Sequence, residues 1–159
     1  MAVELTMHHT RCACHPSNSP EAPLEEDALT GHQELWCIGD SCAATALAEL
    51  VPEARVEHVA STADLVTRLE AGGRPQVIVA CCESGAHPSL PVLAALRAHP
   101  HMPRHGVFVR LSNPLRTHVV RCARLGLVNV LAADAEAALV QRRLRAALCH
   151  RTRAMDVRP

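Results

Sequence analysis

The sequence predicts an α/β domain in which five parallel strands are covered by helices on both faces, preceded by a segment without regular structure. Three observations carry that expectation. Between residues 34 and 150, short apolar runs alternate five times with stretches of helical period. Gly or Pro closes most of the helical stretches. Residues 75–82 are apolar at successive positions, as a central parallel strand buried on both faces should be.

The first strand is Leu35-Trp36-Cys37-Ile38, ended by Gly39-Asp40. Ser41 is placed to cap a helix carrying Ala43, Leu47, Leu50 and Val51, which Pro52 stops. Residues 55–60 alternate apolar and polar as a second strand, and Ser61 or Thr62 caps a helix with Leu65, Val66 and Leu69 that ends at Gly72-Gly73. After the strand at 75–82, residues 89–98 suit a helix with Val92, Leu93 and Leu96 on one face. Residues 106–112 form the fourth strand. Asn113-Pro114 then open a helix burying Leu115, Val119, Cys122 and Leu125, closed by Gly126. Residues 127–131 are the fifth strand, and a last helix from about 135 to 149 buries Val140, Leu144, Ala147 and Leu148. Residues 1–33 contain Pro16, Pro20, Pro23 and the run Glu25-Glu26-Asp27 without sustained period, and read as a disordered tail. Residues 151–159 read as a short basic tail. Five βα units in succession impose right-handed crossovers. Their working surface lies at the carboxyl ends of the strands, in the loops at 40–42, 81–91, 112–114 and 132–134.

Composition narrows the function classes. The chain is 48% hydrophobic and 20% charged, enough for a globular core. Its sixteen basic residues are all Arg and balance sixteen acids, which argues against a nucleic-acid or other polyanionic partner. With one Trp, one Phe and no Tyr, it lacks the stacking platforms of a single-strand nucleic-acid module. No run reaches the roughly 18 apolar residues of a membrane span. The N-terminus lacks the pattern of a secretory signal, so a cytoplasmic location with reduced thiols is expected. The Arg-only, Ala-rich usage points to a bacterial source of high GC content.

Over about residues 34 to 150 the chain resembles the receiver domain of bacterial response regulators. Cys37-Ile38-Gly39-Asp40-Ser41 resembles that family's first strand and acidic pair, with Asp40 kept and Gly39 in place of the other acid. The strand at 75–82 resembles the one that ends in the phosphorylated aspartate, and that position holds Cys81. The His99-Pro100 and Pro103 stretch with Val107-Phe108-Val109 resembles the approach to the fourth strand. The segment opening at Gly126 resembles the fifth strand, with Ala133 where the family places a lysine; Ser112 takes the hydroxyl position. The resemblance implies a flavodoxin-like sheet of order 2-1-3-4-5. It also implies a degenerate phosphorylation pocket built from Asp40, Cys81, Cys82, Ser112 and Ala133. Receiver chemistry needs a carboxylate nucleophile, acid-held Mg²⁺ and a cation on the phosphoryl oxygens. The expected function is therefore a non-catalytic, phosphorylation-independent signalling module with no cofactor, acting by contact with a kinase, a transcription factor or another receiver, or as a homodimer. By the same resemblance Arg116, Arg121, Arg142, Arg143 and Arg145 are candidates for partner binding, the plainer reading being a solvated helix face.

A second reading stays open. Cys42, Cys81 and Cys82 fall at strand ends beside helix starts, where a thiol can be reactive, so a redox or metal sensor is the alternative. Against it, small buried cysteines also serve as core filler, and Cys37, Cys122 and Cys149 read that way. His8, His9, Cys12, Cys14 and His15 are weak metal candidates, and His99, His101 and His105 read as solvated loop residues.

Overall fold

The computed structural model of the chain describes residues 33–155, with side chains to residue 149. The expected N-terminal tail with His8, His9, Cys12, Cys14 and His15, and the end of the C-terminal tail, lie outside the described residues. The described part runs β1 (Gln33–Ile38), α1 (Ser41–Leu50), β2 (Ala54–Val59), α2 (Thr62–Glu70), β3 (Val77–Cys82), α3 (Ser89–Leu96), β4 (Val107–Leu111), α4 (Arg116–Arg124), β5 (Asn129–Ala132) and α5 (Ala137–Met155). The strands pair in parallel in the expected order, β2-β1-β3-β4-β5.

The two periodicities divide the core. Successive strand residues point to opposite faces, so each central strand feeds two apolar layers. On one face Ile38, Ile78, Ala80, Val109 and Leu111 pack with Leu65 and Leu69 of α2, Leu90 and Leu93 of α3, and Cys122 of α4. On the other, Leu35, Cys37, Val77, Val79 and Phe108 pack with Ala43, Ala44 and Leu47 of α1 and Val140, Leu144 and Leu148 of α5. No polar or charged residue is buried among the described residues.

Several local expectations shift. The cap of α1 is Asp40 rather than Ser41; its carboxylate accepts from the Cys42 amide at 2.8 Å. Ser61, not Thr62, caps α2, with its hydroxyl accepting from the Asp64 amide at 3.1 Å. Val92 is exposed; α3 buries Leu93 as expected, together with Leu90, and Leu96 packs partly buried against the same layer. The expected buried stripe of α4 is largely outside the core: Leu115 is 52% exposed and Val119 39%, while Cys122 is buried. Leu115 stands at the cap with extended backbone, so the helix starts too late to carry it inward. The four-residue edge strand β5 also leaves α4 little sheet to cover. The last helix extends to Met155, past the expected end at 149.

Candidate functional site

At the carboxyl end of the sheet, β1, β3, β4 and β5 end around a cavity of about 390 Å³ lined by Asp40, Ala43, Cys81, Glu83, His87, Arg110, Ser112 and Ala133. Such clefts outside the strand ends are where doubly wound sheets bind and react. Four of the expected pocket residues, Asp40, Cys81, Ser112 and Ala133, are brought together here. Cys82 is not. It follows Cys81 in an unbroken strand and so points to the opposite face, where it is buried in the core cluster that holds Cys122. Cys42 lies exposed in the first turn of α1, away from the lining. The expected convergence of Cys42, Cys81 and Cys82 does not form.

The partner of Cys81 is Cys37. Residues 37 and 81 both face the α1–α5 side, on adjacent strands with Cys37 level with Val79 and Cys81 two residues further on. Their sulfurs are 3.9 Å apart, and the Cys37 thiol also approaches the Asp40 carbonyl at 3.9 Å. Arg110 stands level with Cys81 on β4, and its Nη2 donates to the Ala133 carbonyl at 3.1 Å. The Arg110 guanidinium thus lies at the pocket wall between Cys81 and Ala133.

These contacts set the thiol chemistry. The hydrogen bond from Cys37 holds Cys81 below the ordinary thiol range, to about 7, against the opposing effect of burial and with help from the Arg110 guanidinium. Cys37 is pushed upward, because its proton sits on the bond to Cys81 and because burial disfavours its charge. Burial pushes Cys82 up to about 12 and raises Cys122 as well. The two thiols on the α1–α5 face are therefore displaced in opposite directions, and Cys82 across the sheet is raised like Cys37.

The acidic side of the pocket is changed in its backbone. The Asp40 carboxylate is occupied as the α1 cap. Gly39 has φ +106, its carbonyl bonds His58 Nε2 at 2.7 Å, and a side chain there would start 3.1 Å from the Cys81 carbonyl. That φ suits Gly and strains other residues. Gly39→Asp, which would place a second acid beside Asp40, is expected to cost about 1–2 kcal/mol of stability. A urea midpoint equal to that of the parent would show that the loop relaxes without cost. No group of three or more His, Cys, Asp or Glu side chains among the described residues could hold a metal ion.

The candidate partner-binding arginines divide. Arg116 and Arg121 lie on α4, Arg142 is exposed on α5, and Arg143 Nη1 donates to the Val130 carbonyl at 3.2 Å, beside β5. Arg145 turns the other way and pairs with Glu53 beyond α1, with Nη2 to Oε2 at 3.2 Å. Sequence reasoning passed over three features of this region. Cys37 was indistinguishable from filler until the parallel register placed it against Cys81. Arg110 carried a legible signal, as the lone charge in the apolar run Val107-Phe108-Val109-Arg110-Leu111. Of the exposed apolar residues, Leu115 and Val119 were masked by a helical period that suggested burial, and Val128, 73% exposed, by the apolar run read as the fifth strand.

No family model and no curated protein matches the chain. Solved structures do. The receiver domain of a sensor histidine kinase from Pseudomonas aeruginosa, which holds a magnesium ion in its active-site cleft, aligns with a TM-score of 0.58 at 21% identity over 74% of this chain and 98% of its own. A response regulator from Thermotoga maritima aligns at 0.63 and 11% identity over 74% and 98% of the two chains. The receiver domain of a signal transduction histidine kinase from Syntrophus aciditrophicus aligns at 0.63 and 17% identity over 80% and 98%. The chain has the receiver fold.

Proposed function

We propose that this chain is a receiver-like signalling module that works without phosphorylation, by docking another protein through the face formed by α4, β5 and the adjoining side of α5. The observation that carries the reading is the make-up of the pocket. A thiol stands at the end of β3, Asp40 is committed to capping α1, and Gly39 occupies the place of the second acid. A thiol cannot form the acylphosphate of a carboxylate, and one capping carboxylate is a poor Mg²⁺ site. The pocket chemistry supports shape retained without the phosphoryl-transfer groups.

The docking face is supported by its surface. Leu115, Val119 and Val120 on and before α4, Val128 before β5 and Leu139 on α5 are exposed apolar groups, interspersed with Arg116, Arg121 and Arg143. An apolar centre rimmed by arginines is the usual make-up of a protein-binding patch, and its basic rim favours an acidic partner surface. No helix among the described residues is long and apolar enough to cross a membrane.

Two measurements test the reading together. Incubation with acetyl phosphate and Mg²⁺ is expected to leave the mass of the protein unchanged, and a phosphoryl adduct that hydroxylamine removes would overturn the phosphorylation-independent part. In affinity capture, Val119→Glu with Val128→Glu is expected to lose the bound partner at least tenfold, as is Arg142→Glu with Arg143→Glu to a smaller degree. Partners retained by both pairs would remove this face from the proposal.

A further inference from the structure

A thiol pair sits at the place where the fold otherwise carries its covalent switch, and its asymmetry suggests an order of events. Cys37 is fully buried, whereas Cys81 is partly exposed and lines the cavity. A small oxidant entering the cavity meets Cys81 and cannot reach Cys37. Arg110 lies beside Cys81, where its positive charge favours the thiolate. The other described cysteines lack this combination. Cys82 and Cys122 are buried in the opposite layer, and Cys42 and Cys149 are exposed, with no described thiol in contact.

We propose that Cys81 and Cys37 form a two-electron thiol switch, with Cys81 as the thiol that a hydroperoxide oxidises and Cys37 as the thiol that resolves it. In the first step the Cys81 thiolate attacks one peroxide oxygen. The O–O bond breaks, the leaving hydroxide or alkoxide takes up the equivalent of the proton that Cys81 released and departs as water or an alcohol, and the sulfur is left as a sulfenic acid. In the second step the Cys37 sulfur attacks the Cys81 sulfur. The S–O bond breaks, and hydroxide leaves with the Cys37 proton as water. The peroxide gains the two electrons that the two thiols lose, and the product is a Cys37–Cys81 disulfide.

Closing the bond brings the sulfurs from 3.9 Å to about 2.05 Å. Cys81 lies two residues beyond the level of Cys37, a diagonal of about 7–8 Å between backbones, longer than a relaxed disulfide spans. The bond therefore draws the ends of β1 and β3 together. The segments moved first are Gly39-Asp40, which cap α1, and the loop that begins at Glu83. The switch thus acts on the pocket walls themselves. It goes beyond the docking reading and does not depend on it, since the oxidation is read without any partner.

The test uses the full chain, reduced, then treated with a small excess of hydrogen peroxide at pH 7 and mapped by peptide mass spectrometry. A cross-linked pair of peptides containing Cys37 and Cys81 is expected as the main intramolecular product, reversed by dithiothreitol. Cys81 that stays reduced while Cys42 and Cys149 oxidise overturns the proposal. So does Cys81 that is oxidised without linking to Cys37. In Cys37→Ala, sulfenic acid at Cys81 should accumulate, with dimedone adduct at least fivefold above the parent. In Arg110→Met, oxidation of Cys81 should slow about fivefold, because the guanidinium that favours the thiolate is gone. If Cys37→Ala does not fold, the disulfide map of the parent protein and the Arg110→Met rate still decide.

Discussion

Raising the pH from 9 to 12 is expected to destabilise the domain by roughly 2–3 kcal/mol through Cys82, a three-unit displacement discounted for the water near the strand end. The window is unusually clean. The chain has no Lys and no Tyr, and Arg stays charged, so cysteine is the side chain that titrates there. Cys82 is pushed up to about 12 by burial, from an ordinary value near 9. A thiol raised in the folded state stays protonated there while the unfolded chain gives up its proton. Its stabilising effect is complete below pH 9 and is lost as pH rises through 12. Cys122 acts in the same direction. Cys37, raised as well, also acts in the same direction, and the lowered Cys81 contributes no slope above pH 9. The lowered Cys81 adds stability above pH 9 that is lost as pH falls through about 7. Urea midpoints under reducing conditions at pH 8.5, 10 and 11.5 measure the slope. Cys82→Ala should make it shallower by the Cys82 share, with Cys37 and Cys122 still contributing, whatever constant offset the lost sulfur adds. A slope unchanged by that substitution would assign the alkaline loss elsewhere.

Leu144→Ala should cost about 3–5 kcal/mol, the range for emptying a fully buried leucine site that cannot collapse. Leu144 has no exposed surface and sits where α5 covers Val77, Val79, Phe108 and Leu131 on the sheet. The rigid sheet below cannot move up into the void. One turn and a half earlier on the same helix, Leu139 is 38% exposed, and Leu139→Ala should cost less than about 1 kcal/mol. Chemical denaturation of the two variants gives the contrast directly. Equal losses would mean that α5 packs in another rotation and that the docking face has been drawn on the wrong side. A small loss for Leu139→Ala, combined with weaker partner capture, would place that leucine in the binding surface.

The fold was legible because its signals are local. Strand runs such as Leu35–Ile38 and the punctuation at Gly39, Pro52, Gly72 and Gly126 depend on backbone preferences that act within a few residues. The α4 stripe misled because helical period reports which residues share a face, not whether anything covers that face. Leu115 and Val119 share such a face, and little sheet lies beneath it. The site was half legible. Asp40, Cys81, Ser112 and Ala133 follow from strand ends, since a parallel sheet gathers those ends whatever its details. Cys42 and Cys82 sit equally close in sequence, yet one belongs to a helix turn and the other to the reverse face of a strand.

Alternating strands and helices with short connections determined, from sequence alone, a five-stranded parallel sheet with an altered pocket at its carboxyl edge. Short-range periodicity and the handedness of βαβ crossovers leave few other arrangements. What the tertiary structure decided was pairing. The register that sets Cys37 beside Val79 brings its sulfur to Cys81, and the level of β4 sets Arg110 beside the same thiol. Strand register depends on how both apolar layers pack at once, across a sequence separation of 44 residues in the case of the two cysteines, and no local pattern encodes it.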